Sequence, residues 1–513
     1  MHPPLPALIQ ALLEPARYPH PVARVELVET HISWVLLAGD YAYKIKKPVT
    51  LPFLDFATLA QRQTYCEIEL RLNRRFAPAL YLDVVAISGR PEDPRLGGAG
   101  AAIEFAVKMR RFDQTARLDR LCARGALTAE HLSELAQTLV SFQRVAAVAA
   151  PDSRFGNPDE ILAPVLENFE ELQALLPEPP WQSRLAALSA WSRSEFQRLR
   201  PQFIGRKASG RVLECHGDLH LGNLALIDAR VTLFDCIEFN EDFRWIDVAS
   251  EIAFTFVDLL DHRQTGLACW FLNQWLSHSG DFGAVPLLRF YASYRALVRA
   301  KVAAIRASQD GTDMGEVHGY VALAEQLAWP PRPRLIITHG LSGCGKTAAS
   351  TRLLLGDATA TTLRLRSDVE RKRLFGLAPQ DSSGSAVDGG IYQPDAQQTI
   401  YRHLLELARE QLAAGWSSVV DAAFLRRADR SAFQTLAADA GAEFFILAPQ
   451  ATAAQLRQRI VGRLKEGGDA SEATLAVLER QMAWIEPLDA DECLRLYPAS
   501  ASQSLGANIN GRG

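Results

Sequence analysis

Long apolar runs are missing from this chain of 513 residues. No stretch approaches the roughly 20 consecutive apolar residues that a membrane-spanning helix needs. The amino-terminal segment MHPPLPALIQALLEPARYPH has a short apolar patch, but it lacks the basic start and the small-residue cleavage site of a secretory signal. We therefore expect an unsecreted protein with no membrane partner.

Paired cysteines are also lacking. The seven cysteines are scattered, odd in number and include no Cys-x-x-Cys pair, which disfavours both a disulfide framework and a zinc knuckle. This usage fits a reducing compartment, so we expect a cytoplasmic location.

A strong excess of either charge is absent, since 55 Lys and Arg stand against 59 Asp and Glu. No overall field draws the chain to nucleic acid or anionic lipid, and a nucleic-acid contact would need a local patch. The apolar fraction of 48% is ordinary for a globular protein, and the length predicts two or three domains.

The amino-terminal part predicts a small sheet that carries one helix. Period-2 strands over 22–49 turn at Gly39-Asp40, a helical pattern follows over about 56–76, and two more strand-like runs come before residue 112. From about residue 117 the pattern is mainly helical. We predict one domain over 1–328, with a small lobe at about 20–112 and a helical large lobe at about 117–328.

Three prolines in four positions, in WPPRPRLI, predict a linker at 329–334. Strand and helix patterns then alternate over 335–497, which is typical of an α/β domain with a parallel sheet. The last residues, 498–513, show no periodicity, and we predict a flexible tail.

The most informative short stretch is ECHGDLHLGN, at 214–223. His216, Asp218 and Asn223 meet the spacing His-x-Asp-x-x-x-x-Asn of a kinase catalytic loop, and an apolar strand downstream ends in Asp235. Kinases need one carboxylate to accept a hydroxyl proton, and an Asn and a second Asp to hold Mg²⁺. In a zinc alternative, His216 and His220 would share a helical face, but Gly217 and Gly222 disfavour a helix.

This motif resembles that of aminoglycoside phosphotransferase and choline kinase-like enzymes. The resemblance implies an α+β protein-kinase-like fold, with Asp218 as the base, Asn223 and Asp235 as Mg²⁺ ligands and His216 as an organiser of the loop. Protein kinases have Arg where this chain has Gly217, so we expect a small-molecule acceptor rather than a protein.

The lysine that holds the ATP phosphates is expected on the third strand, within YAYKIKKPV. Lys44 and Lys46 share one face of that strand, and we favour Lys44, with Lys46 as the alternative. The expected carboxylate partner on the next helix is Glu69, or else Glu67. No glycine-rich loop precedes the strand, so Thr30 and Ser33 are expected to offer hydroxyls and amides to the phosphates.

A second nucleotide site is predicted at GLSGCGKT, 340–347, which lies between a predicted strand and a predicted helix. Lys346 is expected to reach the β- and γ-phosphates, and Thr347 to ligate Mg²⁺, with Asp421 at a later strand end as a further metal carboxylate. The other predicted contacts to nucleotide are Gly340, Ser342, Gly343, Cys344 and Gly345.

Asp368 and Arg371 follow a strand at a spacing that resembles the Asp-x-x-Arg of polynucleotide kinase-like and zeta toxin-like P-loop kinases. That resemblance implies Asp368 as the base and Arg371 as the residue that positions the acceptor. The alternative is an N-cap Asp with an intrahelical ion pair. Arg459 and Arg463 share a helical face and predict a lid over the nucleotide, with a solvated basic face as the alternative, and the Gly/Ser-rich segment 377–395 predicts a flap.

Nearly the whole chain resembles bacterial bifunctional proteins that fuse an aminoglycoside phosphotransferase-like domain to a P-loop ATP-binding domain. The resemblance implies a kinase that uses ATP and Mg²⁺ at two sites, with a small-molecule acceptor at the first and a small-molecule, nucleotide or nucleic-acid acceptor at the second. The alternative is a nucleotide-driven regulatory switch without an acceptor. Neither aminoglycoside resistance nor an oligomeric state is indicated by these motifs.

Overall fold

A computed structural model of the chain describes residues 4–51, 54–311, 313–379, 381–384, 391, 393–466 and 470–498. The chain divides into two compact units, one with residues 1–127, 141–160 and 204–255, and one with residues 128–140, 161–203 and 256–513. The predicted tail from residue 499 on, and part of the predicted flap over 377–395, lie outside the described residues.

The first unit contains a six-stranded antiparallel sheet in the order β1-β2-β3-β8-β6-β7. The strands of this unit are β1 (Val25–Glu29), β2 (Ser33–Ala38), β3 (Tyr41–Lys46), β4 (Thr50–Leu51), β5 (Leu54–Asp55), β6 (Tyr81–Arg90), β7 (Asp93–Leu96), β8 (Ala102–Arg110), β9 (Val212–Glu214), β10 (Leu224–Ile227), β11 (Arg230–Leu233) and β12 (Trp245–Asp247). The predicted hairpin at Gly39-Asp40 is confirmed, because Ala38 pairs with Tyr41 and Gly39 has φ +58°.

Helix α2 (Leu59–Arg74) positions the carboxylate that the sequence paired with the β3 lysines. A capping box starts the helix: Thr58 Oγ1 accepts from the Gln61 amide, and the Gln61 side chain accepts from the Thr58 amide. Cys66, Glu69 and Asn73 recur at helical spacing on the buried face. Glu69 is therefore turned inward, towards the sheet.

Among the described residues, the remaining α-helices fall into three groups. Two others lie wholly in the first unit, α1 (Ala7–Ala11) and α3 (Leu118–Ala123). Helices that contain residues of both units are α4 (Ala129–Gln143), α5 (Pro158–Leu175), α6 (Pro179–Ala208) and α7 (Val248–Asp261). Helices of the second unit are α8 (Thr265–Ser279), α9 (Val285–Asp310), α10 (Gly315–Ala328), α11 (Lys346–Leu355), α12 (Ser367–Leu374), α13 (Pro394–Ala413), α14 (Arg427–Asp439), α15 (Ala453–Glu466), α16 (Leu475–Trp484) and α17 (Ala490–Cys493).

The second unit contains the predicted parallel sheet. Its strands are β13 (Arg334–Thr338), β14 (Thr362–Arg366), β15 (Ser417–Asp421) and β16 (Glu443–Leu447), in the order β14-β15-β13-β16. All three pairings are parallel, and β13, β14 and β15 are largely buried, as expected of a sheet covered on both faces.

A side chain of α8 hydrogen-bonds to the outer backbone groups of the edge strand β14. Asn273, which is 2% exposed, donates from Nδ2 to the Thr362 carbonyl at 2.8 Å and accepts from the Arg364 amide at 2.5 Å. These are the two backbone groups that a neighbouring strand would satisfy. Helix α8, which comes before the predicted linker in the sequence, is thus part of the same compact unit as the P-loop sheet.

No helix among the described residues is both long and apolar enough to cross a membrane.

Candidate active sites

Three charged side chains of the first unit meet at one ammonium group. Lys44 Nζ, on β3, lies 2.8 Å from Glu69 Oε1 and 2.6 Å from Asp235 Oδ1. The Lys44 side chain is 11% exposed and that of Asp235 is 45% exposed, so this pair marks the open edge of the cluster. The structure thus brings together the lysine, the helical carboxylate and a metal ligand of the sequence prediction. Glu67, the alternative carboxylate, instead accepts from Gln63.

Lys46 lies deeper in the same cluster. Its side chain is 0% exposed, and its Nζ lies 2.7 Å from Glu69 Oε2 and also pairs with Glu238. The two oxygens of Glu69 therefore serve two lysines. Glu238 was missed by the sequence analysis, although it follows Asp235 by three positions and a second lysine on the same strand face calls for a second acid.

The charges of this cluster stabilise one another. Burial alone lowers the pKa of each lysine, but Asp235 and Glu69 raise the pKa of Lys44 well above its usual value, and Glu238 and Glu69 raise that of Lys46. Burial opposes ionisation of Glu69 too, yet Lys44 and Lys46 lower its pKa to about 2. Burial raises the pKa of Glu238. Both lysines and Glu69 are therefore charged at neutral pH.

The catalytic-loop motif depends on a glycine and on a buried histidine. Gly217 has φ +90°, and a Cβ there would lie 2.7 Å from the Phe243 carbonyl oxygen, so a larger residue would displace the loop. His216 is fully buried, accepts from the Asp218 amide at its Nδ1 (3.3 Å) and donates from its Nε2 to the Phe234 carbonyl (2.8 Å). Burial lowers its pKa. Both ring nitrogens are engaged by backbone, which argues against the zinc alternative.

Asp218 and Asn223 are in direct contact. Asn223 Nδ2 donates to the backbone oxygen of Asp218 at 3.0 Å and to its Oδ2 at 3.1 Å. The Nε2 atom of His220 lies 3.5 Å from the same Oδ2. Because His220 Nδ1 accepts from the Gly222 amide, Nε2 carries the ring proton and faces the carboxylate. The candidate base is thus held from two sides and remains 36% exposed.

Glu251, on α7, holds the start of the catalytic loop and was missed from sequence. Its Oε1 accepts from the amides of His216 at 2.6 Å and Gly217 at 3.1 Å, and the residue is 1% exposed. A carboxylate within the apolar pattern DVASEIAF was the available signal, because an acid on a buried helix face needs donors nearby.

Two further polar side chains hold the segment that carries Asp235. The hydroxyl oxygen of Tyr81 accepts from the Asp235 amide at 3.0 Å, and Asn73 Oδ1 accepts from the Cys236 amide at 2.9 Å. Asp235 has φ +63°, a conformation that costs about 1 kcal/mol or more for a residue with a side chain. These bonds keep its carboxylate at Lys44.

The donor atoms at the open edge suit a hard divalent cation. Mg²⁺ prefers oxygen ligands, and Asp235 offers a half-exposed carboxylate. Asn223 uses its amide nitrogen towards Asp218, so its amide oxygen is the atom it has for a cation. The two predicted metal ligands therefore fit a divalent ion by chemistry.

The backbone near Thr30 and Ser33 does not match its prediction. The Thr30 amide donates to the Ser33 carbonyl at 2.9 Å, and the Ser33 amide donates to Thr30 Oγ1, also at 2.9 Å. Ser33 is fully buried. Because both amides are engaged within this turn, the expectation that they present N–H donors to phosphate is not met in this arrangement.

The second unit forms the predicted P-loop between β13 and α11. Gly340, Gly343 and Gly345 have φ of +142°, +84° and +98°, which residues with a side chain rarely adopt. Lys346 is the first residue of α11, and its Nζ donates to the carbonyls of Gly340 and Leu341, both at 2.9 Å. The loop thus precedes a helix N-terminus, as a phosphate-binding loop requires.

A cavity of about 360 Å³ opens at this loop. Its lining includes most of the predicted residues of the second site, namely Ser342, Gly343, Gly345, Lys346, Thr347, Asp368, Arg371, Asp421, Arg459 and Arg463. Gly340 and Cys344 are not among the lining residues, and Cys344 instead packs in a small apolar cluster with Leu456 and Ile460.

Asp421 ends β15 and is 5% exposed. Its Oδ2 lies 3.2 Å from Ser350 Oγ, and the same Oγ is 3.2 Å from Arg364 Nη1. Burial lowers the pKa of Arg364 to about 10, so this guanidinium remains charged at neutral pH. Asp421 and Thr347 line the same cavity, where both offer oxygen to a cation.

Asp368 and Arg371 form the intrahelical ion pair of the alternative interpretation, at 3.4 Å. The N-cap part of that alternative is wrong, because α12 begins after Arg366 and has no side-chain cap. Both side chains also line the cavity, so the ion pair and a role at the site are compatible.

The predicted lid residues contact the loop and its surroundings. Arg459 Nη1 donates to the carbonyls of Gly343 at 3.2 Å and Cys344 at 3.3 Å, while Arg463 Nη2 donates to Ala473 at 3.2 Å. Gln481, on α16, was missed from sequence, and its Oε1 accepts from the Ser342 amide at 2.8 Å. A neutral glutamine on a surface helix carries no sequence signal of this contact.

Comparisons with known proteins divide the chain in the same order as its motifs. Residues 56–302 match the model of the phosphotransferase enzyme family, and residues 335–488 match a model of the AAA domain. The uncharacterized protein Rv2004c of Mycobacterium tuberculosis is 30% identical over 473 residues, which cover 91% of this chain and 92% of the relative. Mb2027c of Mycobacterium bovis, also uncharacterized, matches with the same identity and coverage.

Several solved structures are similar at low identity. A choline/ethanolamine kinase family protein from Mesorhizobium loti matches at 13% identity and a TM-score of 0.39, covering 63% of this chain and 94% of that one. The amicoumacin kinase hAmiN, solved with AMP-PNP, Ca²⁺ and Ami, matches at 12% identity and a TM-score of 0.41, covering 63% and 92%.

Proposed function

The chain belongs to the family that joins a phosphotransferase domain to a P-loop kinase-like AAA domain and is an ATP-dependent phosphotransferase; from this premise we propose that it works through two nucleotide sites. Each site would move the γ-phosphoryl group of ATP to a hydroxyl group with Mg²⁺. The first site would take a small molecule as acceptor, and the second a small molecule or a nucleotide. The first site would lie at the β3 lysines of the first unit, and the second at the P-loop of the second unit.

The observation that carries the proposal for the first site is the contact of Lys44 with two carboxylates, Glu69 and Asp235. We assign Lys44 to the ATP phosphates, because it reaches the open edge beside Asp235, whereas Lys46 is enclosed. Asn223 and Asp235 would hold Mg²⁺, which would offset the charge that develops on the phosphates. The oxygen of the acceptor hydroxyl would bond to the γ-phosphorus while Asp218 accepts the hydroxyl proton. The bond from the γ-phosphorus to the β–γ bridging oxygen would break, which releases ADP.

The P-loop site would perform the same transfer with different parts. Lys346 and the loop amides would bind the β- and γ-phosphates, and Thr347 and Asp421 would hold Mg²⁺. Asp368 would take the hydroxyl proton, and Arg371 beside it would position the acceptor. Arg459 and Arg463 would close over the nucleotide. The common cavity of these side chains supports this assignment.

The test is transfer of label from γ-labelled ATP, with Mg²⁺, into a deproteinised extract of small molecules and RNA. Asp218→Asn should slow the labelling of one set of products and Asp368→Asn that of another set. Each rate should fall by roughly 10²-fold or more, as expected for loss of a general base. Asp113→Asn, on a surface turn, is the matched control. Products that vanish separately in the two variants would support two working sites.

The alternative of a regulatory switch predicts a different result. The protein would then bind or hydrolyse ATP in a Lys346-dependent way and would label no compound in the extract. Both Asp218 and Asp368 favour the transferase, because a pure nucleotide switch has no need of a base beside each phosphate site.

A further inference from the structure

A buried arginine of the P-loop sheet lies behind Asp421, the carboxylate assigned to the metal. In the register of the parallel strands, Arg364 on β14 pairs with Val419 on β15, and Arg366 pairs with Asp421. Because side chains alternate along a strand, Arg364 and Asp421 lie on the same face of the sheet. Arg364 is 8% exposed and Asp421 is 5% exposed. Neighbouring strands therefore enclose a guanidinium and a carboxylate on one face.

Ser350, a fully buried residue of α11, joins these two charged groups. Its Oγ accepts from Arg364 Nη1 at 3.2 Å and donates to Asp421 Oδ2, also at 3.2 Å. The carbonyl of Thr347 lies 3.0 Å from the same Oγ. A serine hydroxyl has one proton to donate, and an ionised acceptor forms the stronger bond, so the carboxylate is the favoured partner. The serine thus connects the guanidinium to Asp421.

Two helices hold Arg364 in this position. On α11, Thr351 Oγ1 accepts from Arg364 Nη1 at 2.8 Å. On α8, the centre of the Trp270 ring lies 5.5 Å from the guanidinium carbon, and Asn273 Oδ1 accepts from the Arg364 amide at 2.5 Å. The arginine therefore cannot turn away from Ser350 without losing contacts to both helices.

This arrangement suits a carboxylate that must be held in one orientation. The bond from Ser350 goes to Oδ2 of Asp421, which leaves Oδ1 as the oxygen that can bind a cation in the cavity. Groups that hydrogen-bond to a metal ligand orient it, and the loss of one typically lowers metal affinity by about 10–100-fold. A rigid donor behind Asp421 is therefore worth more to metal binding than to the packing of the sheet.

We propose that Arg364 and Ser350 are positioning residues of the P-loop site, which hold Asp421 in the orientation that binds the metal of Mg·ATP. Asp421 lines the cavity, whereas Arg364 and Ser350 are not among its lining residues. The pair would therefore act through Asp421 rather than by contact with the nucleotide. This inference rests on the proposed function of that site, because it takes Asp421 as a metal ligand.

The test measures binding of AMP-PNP by calorimetry, in Mg²⁺ and in EDTA. The full chain carries Lys44→Met to weaken the first site, and the signal that an added Lys346→Ala abolishes is assigned to the P-loop. Ser350→Ala and Arg364→Met should each weaken binding in Mg²⁺ by about tenfold or more and leave binding in EDTA nearly unchanged. Arg352→Gln, an exposed arginine of the same helix as Ser350, should change neither.

A double-mutant cycle with Asp421→Asn shows whether the effect passes through the carboxylate. Residues that act through one another are not additive, so Ser350→Ala should weaken Mg·AMP-PNP binding little further once Asp421→Asn is present. Ser350→Ala removes one hydroxyl group, and it decides the inference alone if Arg364→Met does not fold.

Several outcomes would overturn the inference while the proposed function stands. Ser350→Ala might leave Mg·AMP-PNP binding unchanged, or weaken it by the same factor with and without Asp421, in which case the serine acts elsewhere, as through the Thr347 carbonyl. An equal loss in Mg²⁺ and in EDTA would show a general effect on the loop. Tighter binding by Arg364→Met would show that the arginine acts by repelling the metal. Failure of Mg·AMP-PNP to bind in a Lys346-dependent way would overturn both the inference and the proposed function.

Discussion

Replacing each lysine of β3 in turn should separate stability from nucleotide binding in the first unit. Lys46 is 0% exposed and touches two carboxylates, Glu69 and Glu238, that are 0% and 3% exposed. In Lys46→Met both buried acids lose their ion pair with Lys46, and Lys44, which contacts Glu69, is the lysine that remains in the cluster. Breaking a buried ion pair by removing one partner costs about 3–5 kcal/mol, so we expect a loss of that order for Lys46→Met.

Lys44→Met should destabilise the first unit less than Lys46→Met does, but it should weaken nucleotide binding more. Glu69 keeps its bond to Lys46, and the other partner, Asp235, is 45% exposed and can be hydrated. Lys44→Met removes two charged hydrogen bonds, but water replaces the one to Asp235. We therefore expect a stability loss of roughly 1.5–3 kcal/mol, the value of a single charged hydrogen bond. Binding of Mg·ATP to the first site should nevertheless fall by at least about tenfold, because a phosphate contact of this kind is worth 1.4 kcal/mol or more.

Both quantities can be measured on the full chain. Hydrogen exchange of peptides that cover 41–74 reports the opening of the first unit alone, which avoids treating a chain with two units as two-state. Calorimetry in a Lys346→Ala background reports nucleotide binding at the first site alone. Adding Glu238→Gln to Lys46→Met should recover part of the lost protection, because Glu238 is the buried acid whose ion pair with Lys46 is lost, whereas Glu69 keeps Lys44.

The reasoning would be refuted if Lys46→Met exchanged as slowly as the unmodified chain, or if Lys44→Met were the less stable of the two. It would equally fail if Lys46→Met alone abolished nucleotide binding while the fold stayed intact, since Lys46 would then be the residue that meets the phosphates.

Three further outcomes are expected. The folded-state pKa of Glu69, about 2, lies below its usual 4.5, so the stability that this carboxylate contributes is complete above about pH 4.5 and is lost as the pH falls towards about 2. The difference in unfolding free energy between the unmodified chain and Glu69→Gln, measured by hydrogen exchange, should therefore shrink between about pH 5 and pH 3. A difference that grows over this range would contradict the prediction. Asn273→Ala removes the acceptor of the Arg364 amide and a donor to the Thr362 carbonyl. It should destabilise the second unit by about 1–3 kcal/mol in urea unfolding. Gln393→Ala, at an exposed position, should not. Gly343→Ala forces φ +84° on alanine and places its Cβ 2.9 Å from the Leu456 carbonyl oxygen, so Mg·AMP-PNP binding at the P-loop should weaken at least about tenfold; Gly319→Ala, where a Cβ meets nothing within 4 Å, is the control.

Local chemistry explains what the sequence predicted well. The P-loop depends on glycine conformations and on its position between a strand and a helix, and both are readable over about a dozen residues. Asp218 and Asn223 also lie within one short loop, and their contact follows from it. Alternation on β3 placed both Lys44 and Lys46 on one face, and helical spacing on α2 turned Glu69 towards them.

Contacts between distant segments could not be predicted in the same way. Lys46 and Glu238 are 192 positions apart, and nothing in the spacing of either residue states that the strand and the segment after Asp235 meet. Alternation predicted two equivalent candidate lysines, whereas their different surroundings arise from packing, which encloses Lys46 and places Lys44 beside Asp235.

The bond between α8 and β14 makes the same point for domain boundaries. Three prolines marked a linker at 329–334, which is a property of the backbone there, whereas the extent of a compact unit depends on which surfaces pack together. Asn273 takes the place of a neighbouring strand at the edge of the P-loop sheet, and Gly266 lets α8 approach so closely that a Cβ there would lie 2.0 Å from the Leu355 carbonyl oxygen. A fragment that begins at the linker would lose both contacts and expose a strand edge. We therefore expect residues 335–498 alone to aggregate or to unfold more readily than the same sheet in the full chain.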